Sequence, residues 1–260
     1  MRIVLNADDF GMSDDTLRGT IECFERGGLT SATIMPAMPA TARAIEFARA
    51  HPQFSFGVHL TFTGDCNEHP VTDPRKLPAL VTNHGLFQPA NTVRRRAIFL
   101  RLPIDQIATE IEAQVNSVRD QGVKISHVDS HHHLHQYAPF RAALRRVLPK
   151  LGIARVRNVQ NIFLRKPAKS STYWFGLGRR RRLMRSFHTT EHFYMPTSSY
   201  ENNWQCQLLR RLEQSGDTTL EIGVHPGYVD FWRSDERAGI QRFATEARAL
   251  GHQLIGWKDV

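Results

Sequence analysis

Cysteine is scarce, with Cys23, Cys66 and Cys206 the only three in 260 residues. They are far apart, odd in number and in no metal-ligand spacing, which excludes a disulfide framework and a cysteine zinc site. A reducing compartment, by default the cytoplasm, is expected. No apolar run approaches the roughly eighteen residues that cross a bilayer. The opening run Met1–Leu5 is shorter than a signal-peptide core and soon meets Asp8 and Asp9, so secretion is not expected. Repeats and low-complexity tracts are absent, which argues against solenoids and disorder. Negative charge is also in short supply, 25 acidic residues against 34 basic, for a net charge of +9. The sharpest basic cluster is Arg179-Arg180-Arg181-Arg182 with Arg185. It reads equally as a solvated face or as a contact for phosphate or an anionic membrane surface.

Histidine, by contrast, is abundant and clustered in Val128-Asp129-Ser130-His131-His132-His133-Leu134-His135. If Lys124–Ser130 is a buried strand entering a loop, alternate side chains share a face, so Asp129, His131 and His133 could point the same way. One or two of these imidazoles would then reach a common ion.

The surrounding chain alternates short apolar runs with amphipathic segments, the mark of repeated βα units. Strands are expected at Arg2–Ala7, Ser31–Met35, Phe54–Leu60, Lys124–Ser130, Ala154–Val159, Leu220–His225 and Gln253–Trp257. Helices are expected from Ser13 to Arg26 and at Thr41–Ala50, Ile104–Asp120, Pro139–Leu148, Asn203–Glu213 and Asp235–Leu250. Long insertions break this rhythm near residues 61–103 and 160–199. The second holds Tyr173-Trp174-Phe175 and suits a lid or substrate groove. The pattern predicts a single α/β domain over residues 1–260, a distorted (β/α) barrel with about seven mostly parallel strands.

On that map Asp8 and Asp9, His59, His131, Arg157 and His225 all fall at carboxyl ends of strands, the rim where barrel sites are built. Asp9, His59 and His131 make a set of one carboxylate and two imidazoles that leaves positions open for water and substrate, although strand alternation alone also admits His133 in place of His131. One divalent ion is expected, Mg or Zn first, with Mn and Co also suited to these donors. The neighbouring Asp8, facing oppositely along the strand, is left to act as general base on a water held by the ion, and His225 to protonate a leaving amine. Asp129, His133 and Arg157 are assigned to substrate binding or to fixing charge states around the site.

Asn6-Ala7-Asp8-Asp9-Phe10-Gly11, Gly57-Val58-His59-Leu60, His127 to His135 and His225-Pro226-Gly227 together resemble the motif series of YdjC-like carbohydrate deacetylases. The likeness runs from the first strand to Gly256-Trp257-Lys258-Asp259-Val260. It implies a metal-dependent hydrolase that removes the N-acetyl group of an amino sugar, with Asp9, His59 and His131 on the ion, Asp8 as base and His225 as acid. The substrates it suggests are a chitooligosaccharide or an N-acetylglucosaminyl lipid of the hopanoid type. The aromatic and basic stretch Tyr173–Phe187 favours the lipid, with peripheral contact to an anionic inner-membrane face. A homodimer is the expected assembly. Three rivals remain. A phosphoesterase on a similar rim would need ligands for two ions. A nucleic-acid binder would leave the Asp and His rim unexplained and shows no groove-reading motif. A carbohydrate binder would show no turnover.

Overall fold

The structure, a computed structural model, describes all residues except 66, 166–167, 197–202 and 213–215. Cys66, the end of the helix expected to reach Glu213, and parts of the 160–199 excursion therefore lie outside the described residues.

Among the described residues seven strands, β1 (Arg2–Phe10), β2 (Ser31–Ile34), β3 (Ser55–Leu60), β4 (Ile125–Ser130), β5 (His192–Tyr194), β6 (Thr219–Val224) and β7 (Gln253–Leu254), form one sheet. Its order is β4-β3-β2-β1-β6-β5, every pairing is parallel, and β7 sits beside Arg2 and Ile3 of β1. β1 is buried on both faces from Ile3 to Phe10, as a strand covered by helices on one side and by the barrel interior on the other must be. The sheet curls until its edges nearly meet. Parallel bridges from Val128 to Val156 and from Arg155 to His188 span the remaining gap between β4 and the stretch leading into β5. This is the expected distorted barrel.

The helices are α1 (Asp14–Glu25), α2 (Thr41–Ala50), α3 (Ala90–Ile98), α4 (Ile104–Arg119), α5 (Ala138–Val147), α6 (Ser171–Met184), α7 (Trp204–Leu212) and α8 (Phe231–Ala249). α1 starts on a capping box in which Ser13 and Thr16 each accept the other's backbone N–H. α4 buries Ile107, Ile111, Val115 and Val118, the stripe its spacing predicts.

Four expectations need correction. The 154–159 segment bonds to its neighbours only through bridges. Val159 N–H is taken at 2.8 Å by Asn158 Oδ1, which removes it from the ladder. β5, only three residues long, supplies the seventh strand instead. α3 and α6 arise inside the two insertions. α3 buries only Ala90, Val93 and Ala97, and α6 only Met184, too little apolar periodicity to announce a helix. α8 begins at Phe231 rather than Asp235. The last strand stops at Leu254 because Trp257 starts a 3-10 turn and turns inward.

Trp257 is fully buried, stacks on His127 with centroids 4.6 Å apart, and donates its Nε1–H to Glu221 at 3.2 Å. Trp257→Ala is expected to cost about 3–5 kcal/mol in urea unfolding, through a cavity and a lost donor. A cost below about 1 kcal/mol would mean that this residue is not part of the core.

Candidate metal centre and active site

Alternation alone would send the two adjacent carboxylates of β1 to opposite faces, and a bulge in the strand brings both to the same rim. Its register with β2 shifts between Ala7 and Phe10, and Asp9 adopts a left-handed φ of 56°. The aspartates lie within β1 rather than after it, and the bulge, not simple alternation, directs them. Asp9 is 1% exposed, and among the described residues its Oδ1 has no hydrogen-bond donor. That oxygen sits 3.4 Å from His59 Nε2 and 3.2 Å from His131 Nδ1. Arg233 holds the other oxygen, Oδ2, at 2.8 Å. Burial alone would raise the Asp9 pKa, but the imidazole of His131, then those of His225 and His59, hold it well below the carboxylate range.

His59 ends β3 directly opposite Asp129 of β4. Its Nδ1–H donates to Asp129 Oδ1 at 2.8 Å, which orients the ring with Nε2 turned toward Asp9. Against the effect of burial, Asp129 raises the His59 pKa to about 9, with Asp8 and Asp9 adding to it. The other oxygen of Asp129 accepts from Thr33 at 3.1 Å and from Arg157 at 2.6 Å. Arg157 is fully buried and also grips Asp8 through both of its terminal nitrogens and Glu221 at 2.7 Å. Asp8 accepts a further hydrogen bond from Asn6 at 2.9 Å, its same-face neighbour two residues back. Burial would raise its pKa, but Arg157 keeps it well below the usual range. Burial pushes Glu221 up to about 7 in spite of Arg157.

Ligand atoms of Asp9, His59 and His131 all lie within 4.8 Å of one another. The two measured O···N gaps match the roughly 3–3.5 Å between donors that share an ion at about 2.1 Å. Asp8, His59 and Asp129 also come within 4.8 Å of one another, but the Arg157 guanidinium already occupies that side, and a second cation there would meet it directly.

Past β4 the chain enters a turn in which His132 and His133 take left-handed φ values of 55° and 53°. His133 is thereby carried away from the face of Asp129 and His131 and packs edge-on against Phe193. The shared face expected for all three is not formed, and His133 is outside the Asp9 cluster. Its imidazole lines a neighbouring cavity of about 300 Å³ together with His132, Tyr137, Asn158 and Tyr173. Residues 61–103 shape the rim, with Thr63 and Asp65 placed 3.3 Å and 3.6 Å from His132.

His225 follows β6 and lies 4.0 Å from Asp8 through Nε2. Glu236 of α8 accepts both its backbone N–H, at 2.6 Å, and its Nδ1–H, at 3.2 Å. Burial would lower the His225 pKa; Glu236, then Asp9 and Asp8, raise it above the ordinary value. The Pro226-Gly227 turn presses on α1, where a Cβ on Gly227 would come 2.6 Å from Asp15. Side chains of His131 and His225 are 17% and 18% exposed, while those of Asp8, Asp9 and His59 are nearly closed off, so access is from the side of these two histidines.

The eight residues singled out from sequence gather here, seven around the Asp8 and Asp9 cluster and His133 on the cavity beside it. Sequence reasoning missed Asn6, Thr33, Glu221, Arg233 and Glu236. Arg233 and Glu236 are three apart on α8 and both buried. A helix start placed four residues late hid that spacing.

The profile of the YdjC-like protein family matches residues 2–254. The chain belongs to the YdjC-like family. Relatives called carbohydrate deacetylase include one from Halalkalibacterium halodurans, 29% identical over 88% of this chain and 86% of its own length. Another, from Thermoanaerobacter pseudethanolicus, is 28% identical over 99% and 92%. A crystal structure from Enterococcus faecalis V583, named for cellobiose-phosphate cleavage, superposes with a TM-score of 0.81 over 99% of this chain and 98% of that one. At 23% identity it speaks to the fold alone.

Replacing Glu236 with Gln should lower the His225 pKa, followed by NMR titration of its ring protons. Because the folded pKa is raised, the pair stabilises fully below pH ~6.5 and loses that contribution as pH rises through the folded pKa. The stability difference between Glu236→Gln and the parent should therefore be larger at pH 6 than at pH 9. A difference that grows with pH would reject the pairing.

Proposed function

We propose that this protein is a divalent-metal-dependent deacetylase that hydrolyses the N-acetyl group of an amino sugar. The observation that carries this is the buried, donorless Oδ1 of Asp9 between two imidazole nitrogens, on a chain whose relatives are called carbohydrate deacetylases. Asp9, His59 and His131 would hold one ion, with Mg or Zn favoured and Mn or Co admissible. When bound, the ion supplies Lewis-acid polarisation of the acetyl carbonyl and a lowered pKa for the attacking water.

The chain's own groups do the rest. Asp8, kept ionised by Arg157, accepts the proton of the water that attacks the carbonyl carbon. His225, its pKa raised by Glu236, presents Nε2 on the open side and delivers a proton to the sugar nitrogen as the C–N bond breaks, leaving acetate and a free amine. Asp129 holds His59 in its orientation, and Arg157 fixes Asp129 and Asp8 together. His133 and the cavity beside it would receive the sugar. The acetylated sugar would be a chitooligosaccharide or the headgroup of an N-acetylglucosaminyl lipid of the hopanoid type, handled in the cytoplasm or at the inner membrane face by a homodimer. A two-ion phosphoesterase reading is disfavoured by Arg157, which stands where the second ion would sit.

The test is acetate release from N-acetylglucosamine oligomers and from an N-acetylglucosaminyl lipid, using chelated enzyme and enzyme resupplied with single ions. Metal-dependent acetate from either substrate is expected; no acetate from an ion-loaded protein rejects the reading. Asp8→Asn should retain the ion and lose about two to four orders of magnitude in turnover. His225→Ala should also retain the ion and slow amide cleavage, and an unchanged rate in either variant would reassign its role.

A further inference from the structure

Helices α3 and α6 face one another across a cleft and both line the cavity beside the candidate site, and each carries large apolar side chains into solvent. At the end of α3, Ile98, Phe99 and Leu100 are 57%, 63% and 68% exposed, and on α6 Phe175 is 76% exposed. A cleft of about 280 Å³ lies between these tips, with Ile98 and Leu100 on one wall and Gly176 and Leu183 on the other. Scattered exposed apolar residues need no explanation, but three consecutive ones, two of them on the wall of a cleft, with Phe175 next in sequence to Gly176 of the other wall, do.

Charge around the cleft is of one sign. Residues 90–103, 138–151 and 168–190, which build α3, α5 and α6 with their flanks, contain no Asp or Glu, yet they carry three consecutive arginines in α3 and four in α6. The Arg101 guanidinium lies 5.7 Å over the ring of Phe99, so apolar and cationic groups are interleaved. On their inner side the same helices line the cavity next to the candidate site, through Arg94 of α3 and Tyr173 and Arg180 of α6.

From this we infer that the α3–α6 face docks on an anionic lipid bilayer, with Ile98, Phe99, Leu100 and Phe175 inserted among the headgroups and the flanking arginines paired with lipid phosphates. Aromatic and aliphatic tips ringed by arginine fit the interfacial region of a membrane. Nucleic acid would neutralise the arginines but leave Ile98 and Leu100 wet, and a second copy of this chain would bring the same positive face against itself. Docked this way, the protein presents the site cavity at the bilayer surface. That geometry deepens the lipid-headgroup branch of the proposed function; only the nature of what the bilayer carries rests on that reading.

The test is co-sedimentation of the full chain with phosphatidylcholine vesicles and with vesicles also containing phosphatidylglycerol. Binding is expected only when phosphatidylglycerol is present. The double variants Phe99→Ser with Phe175→Ser and Arg179→Gln with Arg182→Gln should each weaken it at least about tenfold, with thermal unfolding unchanged. Asp9→Ala should sediment like the parent, so the failure of the deacetylase reading and the failure of docking are separate results. Failure to bind phosphatidylglycerol vesicles would overturn the inference. So would full binding by the Phe99→Ser, Phe175→Ser variant, or tighter binding to single-stranded RNA than to those vesicles at the same salt.

Discussion

One buried guanidinium holds this site in its working state. Arg157 is fully enclosed and bonds to Asp8 of β1, Asp129 of β4 and Glu221 of β6. A charge taken out of water costs several kcal/mol unless it is paired and hydrogen-bonded, so each of these groups depends on the others. β1 and β6 are paired neighbours and β4 lies three strands from β1 at the edge of the sheet, so the cluster ties that edge strand to the middle of the sheet. Asp129, pinned by Arg157, pins His59 in turn, and the orientation of His59 leaves Nε2 facing Asp9. Glu221 takes the share of proton affinity that burial forces on such a cluster, with its pKa near 7, while Asp8 stays ionised.

The same electrostatics separates two kinds of acid. Asp8 is held by Arg157 and Asn6, whereas Asp9 keeps one oxygen bare and close to two imidazoles. A single β-bulge produces that division, since straight alternation would have sent neighbouring residues to opposite faces of β1. The result is room for one cation beside Asp9 and an arginine already in place beside Asp8.

Much of this was legible in the chain. Buried parallel strands announce themselves as apolar runs, and polar residues at their carboxyl ends then stand out, as Asp8, Asp9, His59, His131 and His225 did. Arg157 was also found at the rim, though in a segment that makes bridges rather than a strand. Elements that bury little were not legible: α3 and α6 owe their place to a few contacts, and β5 spans three residues. The second layer around the site was hidden for another reason. Thr33, Glu221, Arg233 and Glu236 are polar residues inside otherwise ordinary strands and helices, and only the three-dimensional arrangement gives them partners. His133 is placed on the neighbouring cavity by two consecutive left-handed residues, which end the strand's alternation at once.

The most direct measurement is the metal content of the full chain after equilibration with a divalent ion and removal of excess, set beside that of Asp9→Ala. One ion per parent chain and none in the variant is the result predicted by a bare carboxylate oxygen between two imidazoles. Two ions per chain, or an ion retained without Asp9, would contradict it.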